Sequence, residues 1–434
     1  MAQHVWRCFV LTLCSTSQLP LTISQVEPME YRAAADLYGG RSFLQVPSWS
    51  AVKAAWTSEL LAWRDGENRV VGTSLVLFRR LPGFSRWFAY LPDGPDIDWT
   101  DPNLDRWLDP LLDYLERNGV FAVRMGPPAS YRRWQAATLK AAAGPGRRVD
   151  HILPDVVEPI GSAVADRLRA VGWRRCGEGG SAGDAQPRFL FQVPLEKQTA
   201  DALRNRLGKD WKRNILKATK SGVEIRRGTW NDLPTFYELL KQTERRNGFE
   251  LGRSLAYYQR EYRELNSEMP GTMRLYLSTC DDEVLAAHTM IVVGRRAWYQ
   301  TGGSADHRRD VRPSHILQWS MIREAKELGA ELYDMLGVSG CLDPEDRAFG
   351  LLRWKLGTGG ELVETVGEWE RVLPGPINAV LHRAMVSYRN RRVRKGIGHR
   401  EQADPAPGRH AGRQMALMME RRRSGLQIHP QRAP

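Results

Sequence analysis

Apolar residues dominate 60–64 and again 70–78, with the polar turn Asp65-Gly66-Glu67 between the two runs. This is the pattern of a β-hairpin. Residues 87–91 read as a further strand. Over 101–118 the apolar positions take helical spacing, with Asp101 as N-cap, Pro102 in the first turn, Pro110 as a kink and Gly119 as the stop. A strand over 120–125 then runs to Gly126.

The same order returns later in the chain. Residues 274–278 and 284–293 flank the turn Asp281-Asp282-Glu283, and 297–301 form the next strand. A helix over 313–328 carries Leu317, Met321 and Leu328 on one face and stops at Gly329; a strand over 331–336 ends at Gly337. Helical stretches over 200–221, 230–247 and 255–265 precede this second block, and a helix over 376–393 follows it. An internal repeat of hairpin, strand, helix and strand is the core plan of the GCN5-related acyltransferase (GNAT) fold. The expected class is therefore α+β, with two tandem GNAT-like lobes. The expected division is a disordered N-terminus over 1–22, lobes over 23–185 and 186–365, a strand and helix over 366–400 packing back on the first lobe, and a disordered basic tail over 401–434.

Composition narrows the partners. The 434 residues carry a net charge of +13 and a pI near 9.7, which favours polyanions such as nucleic acid, an anionic membrane or a pyrophosphate-bearing substrate. No run of 18 apolar residues appears, so no membrane span is expected. Five scattered cysteines form neither a disulfide framework nor a zinc pattern, and a reducing cytoplasm is the simple reading. His288 lies in an apolar strand, where a satisfied core or cleft histidine is commoner than a metal ligand, and no catalytic metal is expected.

Coenzyme A chemistry on this plan needs a Gly-rich pyrophosphate loop at the helix start. In the second lobe that place is 305–313, which lacks glycine and ends in Pro313; in the first it is the acidic run 93–101. A different activated acyl donor fits better. The run 349–369, FGLLRWKLGTGGELVETVGEW, sets Trp354-Lys355 one residue ahead of Gly357-Thr358-Gly359-Gly360. Glycines at this density allow close backbone approach, and the lysine is expected at the lip of it.

This block resembles the C-terminal signature of the FemABX family, near its single-chain FemX type. The likeness extends over about residues 42–392. Its other anchors are Phe43-Leu44-Gln45-Val46-Pro47-Ser48-Trp49, Tyr90-Leu91-Pro92-Asp93-Gly94-Pro95, Arg213-Asn214-Ile215 with Gly222-Val223-Glu224, and Tyr299-Gln300-Thr301-Gly302-Gly303-Ser304. The resemblance implies the arm-less subtype, and transfer of an amino acid, glycine by likeness to actinomycete members, from aminoacyl-tRNA to the side-chain amine of a peptidoglycan precursor. No cofactor is expected. The acceptor is lipid II or a nucleotide-linked muramyl pentapeptide, and the place is the cytoplasm, with peripheral contact at the inner membrane leaflet. Lys355 would stabilise the oxyanion or the leaving ribose oxygen. One of Asp93, Asp96 and Asp98 would take the proton of the attacking ammonium. Trp354 would stack on a terminal base, and Arg389, Arg391, Arg392, Arg394 and Lys395 would meet tRNA phosphates. Lys53, Trp56, Tyr90, Lys212, Arg213 and Tyr299 would hold the precursor. The missing second tyrosine at Thr301 keeps open a peptide-antibiotic scaffold as acceptor. A non-catalytic nucleic-acid-binding protein is the alternative from another class.

Overall fold

The computed structural model describes residues 20–36, 42–81, 83–177 and 184–394. Lys395 and the tail expected over 401–434 lie outside them, as does most of the expected N-terminal segment. With strands and helices numbered in chain order, one sheet runs β1 (Thr22–Gln25), β2 (Thr57–Arg64), β3 (Val70–Arg80), β4 (Trp87–Leu91), β5 (Val120–Met125), β16 (Trp369–Val372), β8 (Arg174–Arg175). The other runs β10 (Glu224–Gly228), β11 (Met273–Cys280), β12 (Glu283–Val293), β13 (Arg296–Ser304), β14 (Leu332–Val338), β9 (Phe189–Pro194), β15 (Glu361–Thr365), β6 (Ser130–Gln135), β7 (Val156–Val157). Both hairpins and both parallel pairs follow the repeated plan. Among the described residues no helix is longer than the 17 residues of α12 (Asn378–Arg394), and no long arm is present.

The sheets exchange strands. Although β6 and β7 fall within the span expected for the first lobe, β6 pairs with β15 in the second sheet. Three residues after β15, the chain re-enters the first sheet as β16, between β5 and β8. Apolar packing also crosses the boundary: Phe43 stacks edge-on against Trp298, with ring centroids 5.2 Å apart. The main-chain N–H of Ser48 donates to Glu268 Oε2 at 2.7 Å.

The two parallel pairs differ where it matters. β4 stays paired with β5 to its last residue, Leu91 against Met125, and Gly126 N–H still donates to Leu91 O. β13 pairs with β14 only from Arg296 to Trp298, against Leu332 to Asp334. Beyond that point the strands part, so the second lobe has an opening between them and the first does not. The helices α3 (Asp105–Arg117) and α10 (Pro313–Glu327) each return the chain to a parallel strand. α3 starts later than its sequence implies. Asp101 accepts from Asn103 N–H and Trp107 Nε1–H, closing a separate turn before the helix.

β16 carries a buried ion cluster. Arg124, 1% exposed, donates through Nε to Glu370 Oε1 at 2.7 Å and lies 3.3 Å from Glu368 Oε2. His382 of α12 sits 3.0 Å from the other oxygen of Glu370. Burial opposes ionisation of Glu370, but His382 and Arg124 outweigh it and bring its pKa from 4.5 down to about 2. Its stabilising effect is therefore complete above pH 4.5 and is lost as pH falls through about 2. Arg124→Met should destabilise the fold by about 3–5 kcal/mol, because two carboxylates lose their buried partner. Urea unfolding at neutral pH measures this. Glu370→Gln should flatten the acid limb of stability between pH 4.5 and 2.

Candidate active site

The opening begins at an ion pair on a buried carboxylate. Arg296 lies 3.5 Å from Asp334, which is 1% exposed. Asp334 also accepts from Gln192 Nε2 at 2.9 Å and from Leu336 N–H at 2.7 Å. The second contact shapes a bulge. Pairing of β14 with β9 slips between Asp334 and Gly337, and Leu336 takes a φ of 58°. A leucine in the left-handed region costs on the order of 1–3 kcal/mol and persists only when its surroundings fix it.

Lys355 is what fixes it. Its ammonium donates to the carbonyl oxygens of Met335, Leu336 (3.2 Å) and Gly337 (2.9 Å). An ammonium has three N–H groups, and all three are used. The expectation of a lysine at the lip of the glycine run is corrected here: Lys355 is 2% exposed, in the last turn of α11 (Arg347–Leu356). Phe349, Leu352 and Leu356 recur at helical spacing and bury that face, which carries Lys355 inward with them. Burial pushes its pKa down to about 7, and Asp334 opposes the fall.

Trp354 faces the other side of the opening. Its ring lies 5.2 Å from Trp211 and 6.2 Å from both His315 and Tyr299. Trp211 reaches it because the stretch expected as one helix breaks at Leu207-Gly208 into α6 (Ala200–Arg206) and α7 (Lys209–Lys220). The glycine run serves this docking. A Cβ on Gly357 would lie 2.0 Å from Trp211 Cδ1, and Gly359 has a φ of 75°.

Three further groups complete this side. His315 Nε2 lies 3.2 Å from Asn214 Nδ2, and burial followed by the Arg312 charge lowers its pKa to about 4. His288 Nδ1 lies 3.1 Å from Gln318 Oε1, while Gln318 Nε2 donates to Tyr333 Oη at 2.6 Å. That orientation of the amide assigns the proton to Nδ1 of His288 and a lone pair to Nε2. Burial lowers the His288 pKa to about 3, so the ring is neutral. Tyr299 packs 5.0 Å from His288. Burial raises its pKa, which keeps the hydroxyl protonated as a donor.

The first lobe contributes Asp93. Its carboxylate accepts from Ser42 Oγ at 2.9 Å. Burial raises its pKa; Ser42 and Arg296 pull it down, and Asp334 pushes it up. Asp93 thus lies within electrostatic reach of the ion pair at the floor of the second lobe's opening. Its two candidate neighbours are elsewhere. Asp96 is held by main-chain pairing with Thr73, and Asp98 caps an exposed turn through Thr100.

The remaining predicted residues divide. Tyr90 donates to Glu368 Oε1 at 2.6 Å and accepts from Gln186, and Trp56 packs 6.3 Å from it. Lys53 lies over the rings of Trp49 and Tyr257, at the contact of α2 (Ser48–Val52) with α9 (Leu255–Glu268). Arg213 is exposed and paired with Asp210, and Lys212 donates to Asn205 O on the protein's outer side. Neither is brought to Asp93 by any contact among the described residues. Arg389 lies 3.9 Å from Glu370, which ties it to the first lobe; Arg391 is exposed. Arg392 and Arg394 belong to α12 by backbone alone, and Lys395 lies outside the described residues.

Sequence reasoning missed Arg296, Asp334, Trp211 and His315, and left His288 without a role. Asp334 had a visible signal: an acid inside the apolar strand Leu332–Val338. Trp211, an aromatic among lysines, had another.

The fold and the opened parallel pair define an acyltransferase of GNAT architecture, and residues 205–355 match the model of an acetyltransferase (GNAT) domain. The FemAB family model matches residues 26–270, more than half of the chain, and the chain belongs to that family. It is 23% identical over 420 residues to the lipid II:glycine glycyltransferase of Staphylococcus aureus (strain USA300), covering 80% of this chain and 92% of that protein. The enzyme of strain NCTC 8325 matches equally. A crystal structure of FemX superposes with a TM-score of 0.68 at 21% identity, covering 83% of this chain and 99% of that one, which establishes the shared fold.

Lys355→Met should destabilise the protein, since each buried carbonyl left without a donor costs about 1–3 kcal/mol. Its pH dependence has a definite sign. Lys355 titrates near 7 when folded and near 10.5 when unfolded, so wild-type stability rises across that window as the buried charge is discharged. Thermal melts of both proteins from pH 7 to 10 should show this rise in wild type and lose it in the variant.

Proposed function

We propose that this acyltransferase moves an amino acid, glycine, from aminoacyl-tRNA to the side-chain amine of a peptidoglycan stem peptide, building the interpeptide bridge. The observation that carries the reading is the junction of two lobes at one opening. Asp93 of the closed lobe lies within electrostatic reach of Arg296 and Asp334, where β13 leaves β14, and the next residue of β13, Tyr299, packs against Trp354. The relatives named as lipid II:glycine glycyltransferases supply the acceptor class.

In this reading the terminal base of the donor lies on Trp354, and its ester carbonyl enters the opening. Asp93 takes a proton from the acceptor ammonium. The free amine attacks the carbonyl, a C–N bond forms, and the ester C–O bond breaks. The ribose oxygen leaves with a proton. Tyr299 donates to the oxyanion, since Lys355 has no N–H left for it. Lys355 acts as a positioning residue: it holds the bulge and adds positive field at the floor. The ester is already activated, so the reaction needs no nucleophilic side chain and no cofactor.

The start of α10 supports a donor other than coenzyme A. Residues 305–313 contain no glycine, Arg308 and Arg312 occupy left-handed conformations, and Arg308 is paired with Asp281. The side of the helix start is occupied by Asn214 of α7, against His315. Little main chain is free there to cradle a pyrophosphate.

Transfer of labelled glycine to a muramyl pentapeptide should require charged tRNA and disappear after ribonuclease treatment; acetyl-CoA should not replace it. Undiminished transfer after complete tRNA digestion would refute the donor. Asp93→Asn should lower single-turnover transfer by about 10²–10⁴-fold, the usual range for a general base. Because burial raises the Asp93 pKa, the acid limb of wild-type kcat should lie above the ordinary aspartate range, and the variant should lack that limb. A variant with an unchanged pH profile would make Asp93 a structural residue.

A further inference from the structure

The helices that bring Trp211 and His315 to the opening turn their other sides to an outer groove of about 660 Å³. Its floor is aliphatic, with Ile215, Leu216, Ile225 and Ile316 beside Trp319. Leu216 is 53% exposed, unusual for so large an apolar side chain. The rim carries Arg204, Lys212, Arg226, Arg227 and Arg323, all exposed.

Glu324 is the one acid in the lining, and it is already shared by Arg227 and Arg274. Asp232 pairs with Arg226. Arg204 and Arg323 have no acidic partner among the described residues, and Lys212 donates only to a main-chain carbonyl. α7 extends the same field with Lys209, Lys217 and Lys220.

A ligand must satisfy floor and rim together. A nucleic-acid backbone would neutralise the cations and leave the aliphatic floor in water. An anionic lipid satisfies both, with a hydrocarbon chain on the floor and a phosphate at the rim. We propose that this groove docks the protein on an anionic membrane surface and seats one phosphate-bearing lipid. The chain lies along Leu216 and Ile316, and the phosphate lies among Arg204, Lys212 and Arg323. Among the described residues no helix is long and apolar enough to cross a membrane, so docking would be peripheral. The idea deepens the acceptor reading above, because a lipid-borne acceptor needs the enzyme at the bilayer.

The test is co-sedimentation of the full chain with phosphatidylcholine vesicles, with and without phosphatidylglycerol. Wild type should bind the anionic vesicles only. The double variant Arg204→Gln with Arg323→Gln should bind them about 30-fold more weakly, as expected at about 1 kcal/mol per cation. Leu216→Asp should weaken binding by at least about tenfold with both arginines intact, which separates lipid seating from simple charge attraction. Thermal melts verify that each variant folds. Filter binding of tRNA runs in parallel. Loss of RNA binding with vesicle binding retained would assign the groove to nucleic acid and overturn the proposal, as would equal vesicle binding by all three proteins. Transfer to a soluble pentapeptide is measured separately. If it fails while groove-dependent vesicle binding persists, the catalytic reading falls and the docking site stands.

Discussion

Glu368 holds the two halves of the molecule in one geometry. It stands where the chain leaves the second sheet after β15 and enters the first as β16. Its carboxylate faces Arg124, accepts from the Tyr90 hydroxyl and accepts from Ala185 N–H, while its own N–H donates to Asp184. Burial raises its pKa and Arg124 pulls it down, so the charge depends on these partners. Strand exchange alone would join the sheets. Glu368 also ties the crossover to Tyr90, three residues before Asp93. The acid that reaches the second lobe is therefore placed by a covalent crossover and a buried ion cluster, with no flexible hinge between them.

The active opening repeats that logic with a lysine. A left-handed leucine and a buried ammonium are each unfavourable alone. Together they satisfy one another, because the bulge turns three consecutive carbonyls toward one Nζ. Asp334 closes the arrangement from the other side by accepting from Leu336 N–H. Removing the lysine would leave three carbonyls without their donor and release the bulge, and with it the edge of the opening. The same residue that shapes the site thus has its three N–H groups committed to carbonyls, and in the proposed reading oxyanion stabilisation falls to the neutral hydroxyl of Tyr299.

Much of the architecture was legible because it rests on local patterns. Both hairpins, both parallel strands and the helices between them follow periodicity and turn residues; Asp281 and Asp282 do adopt positive φ at the second hairpin turn. The site was legible only in part. Asp93, Trp354, Lys355 and Tyr299 carried recognisable context. Their placement depended on burial, which no motif states: Lys355 was expected at the lip of the glycine run and is inside. Arg296 and Asp334 look ordinary in one dimension and meet only because β13 and β14 are parallel neighbours. The break at Gly208 was hidden because its reason lies at Gly357, far along the chain, whose carbonyl accepts from Gly208 N–H at 2.9 Å.

Duplication explains why one opening suffices. Two copies of the plan could each have parted their parallel strands. In the first copy the pairing of β4 with β5 runs to the end, and β16 covers the far side of β5. That lobe gives up its own opening and becomes a support that brings Asp93 within electrostatic reach of Arg296 and Asp334. The second copy keeps its strands parted and lines the gap with aromatic rings and neutral histidines. Such a division suits a reaction between two large substrates. An activated ester needs an enclosed, weakly polar gap in which charge develops beside fixed dipoles. In the proposed reading the incoming ammonium gives its proton to the Asp93 carboxylate, near the Arg296–Asp334 pair. Placing these on different copies allows burial to tune the acid on one side while the lysine clasp on the other holds the gap open.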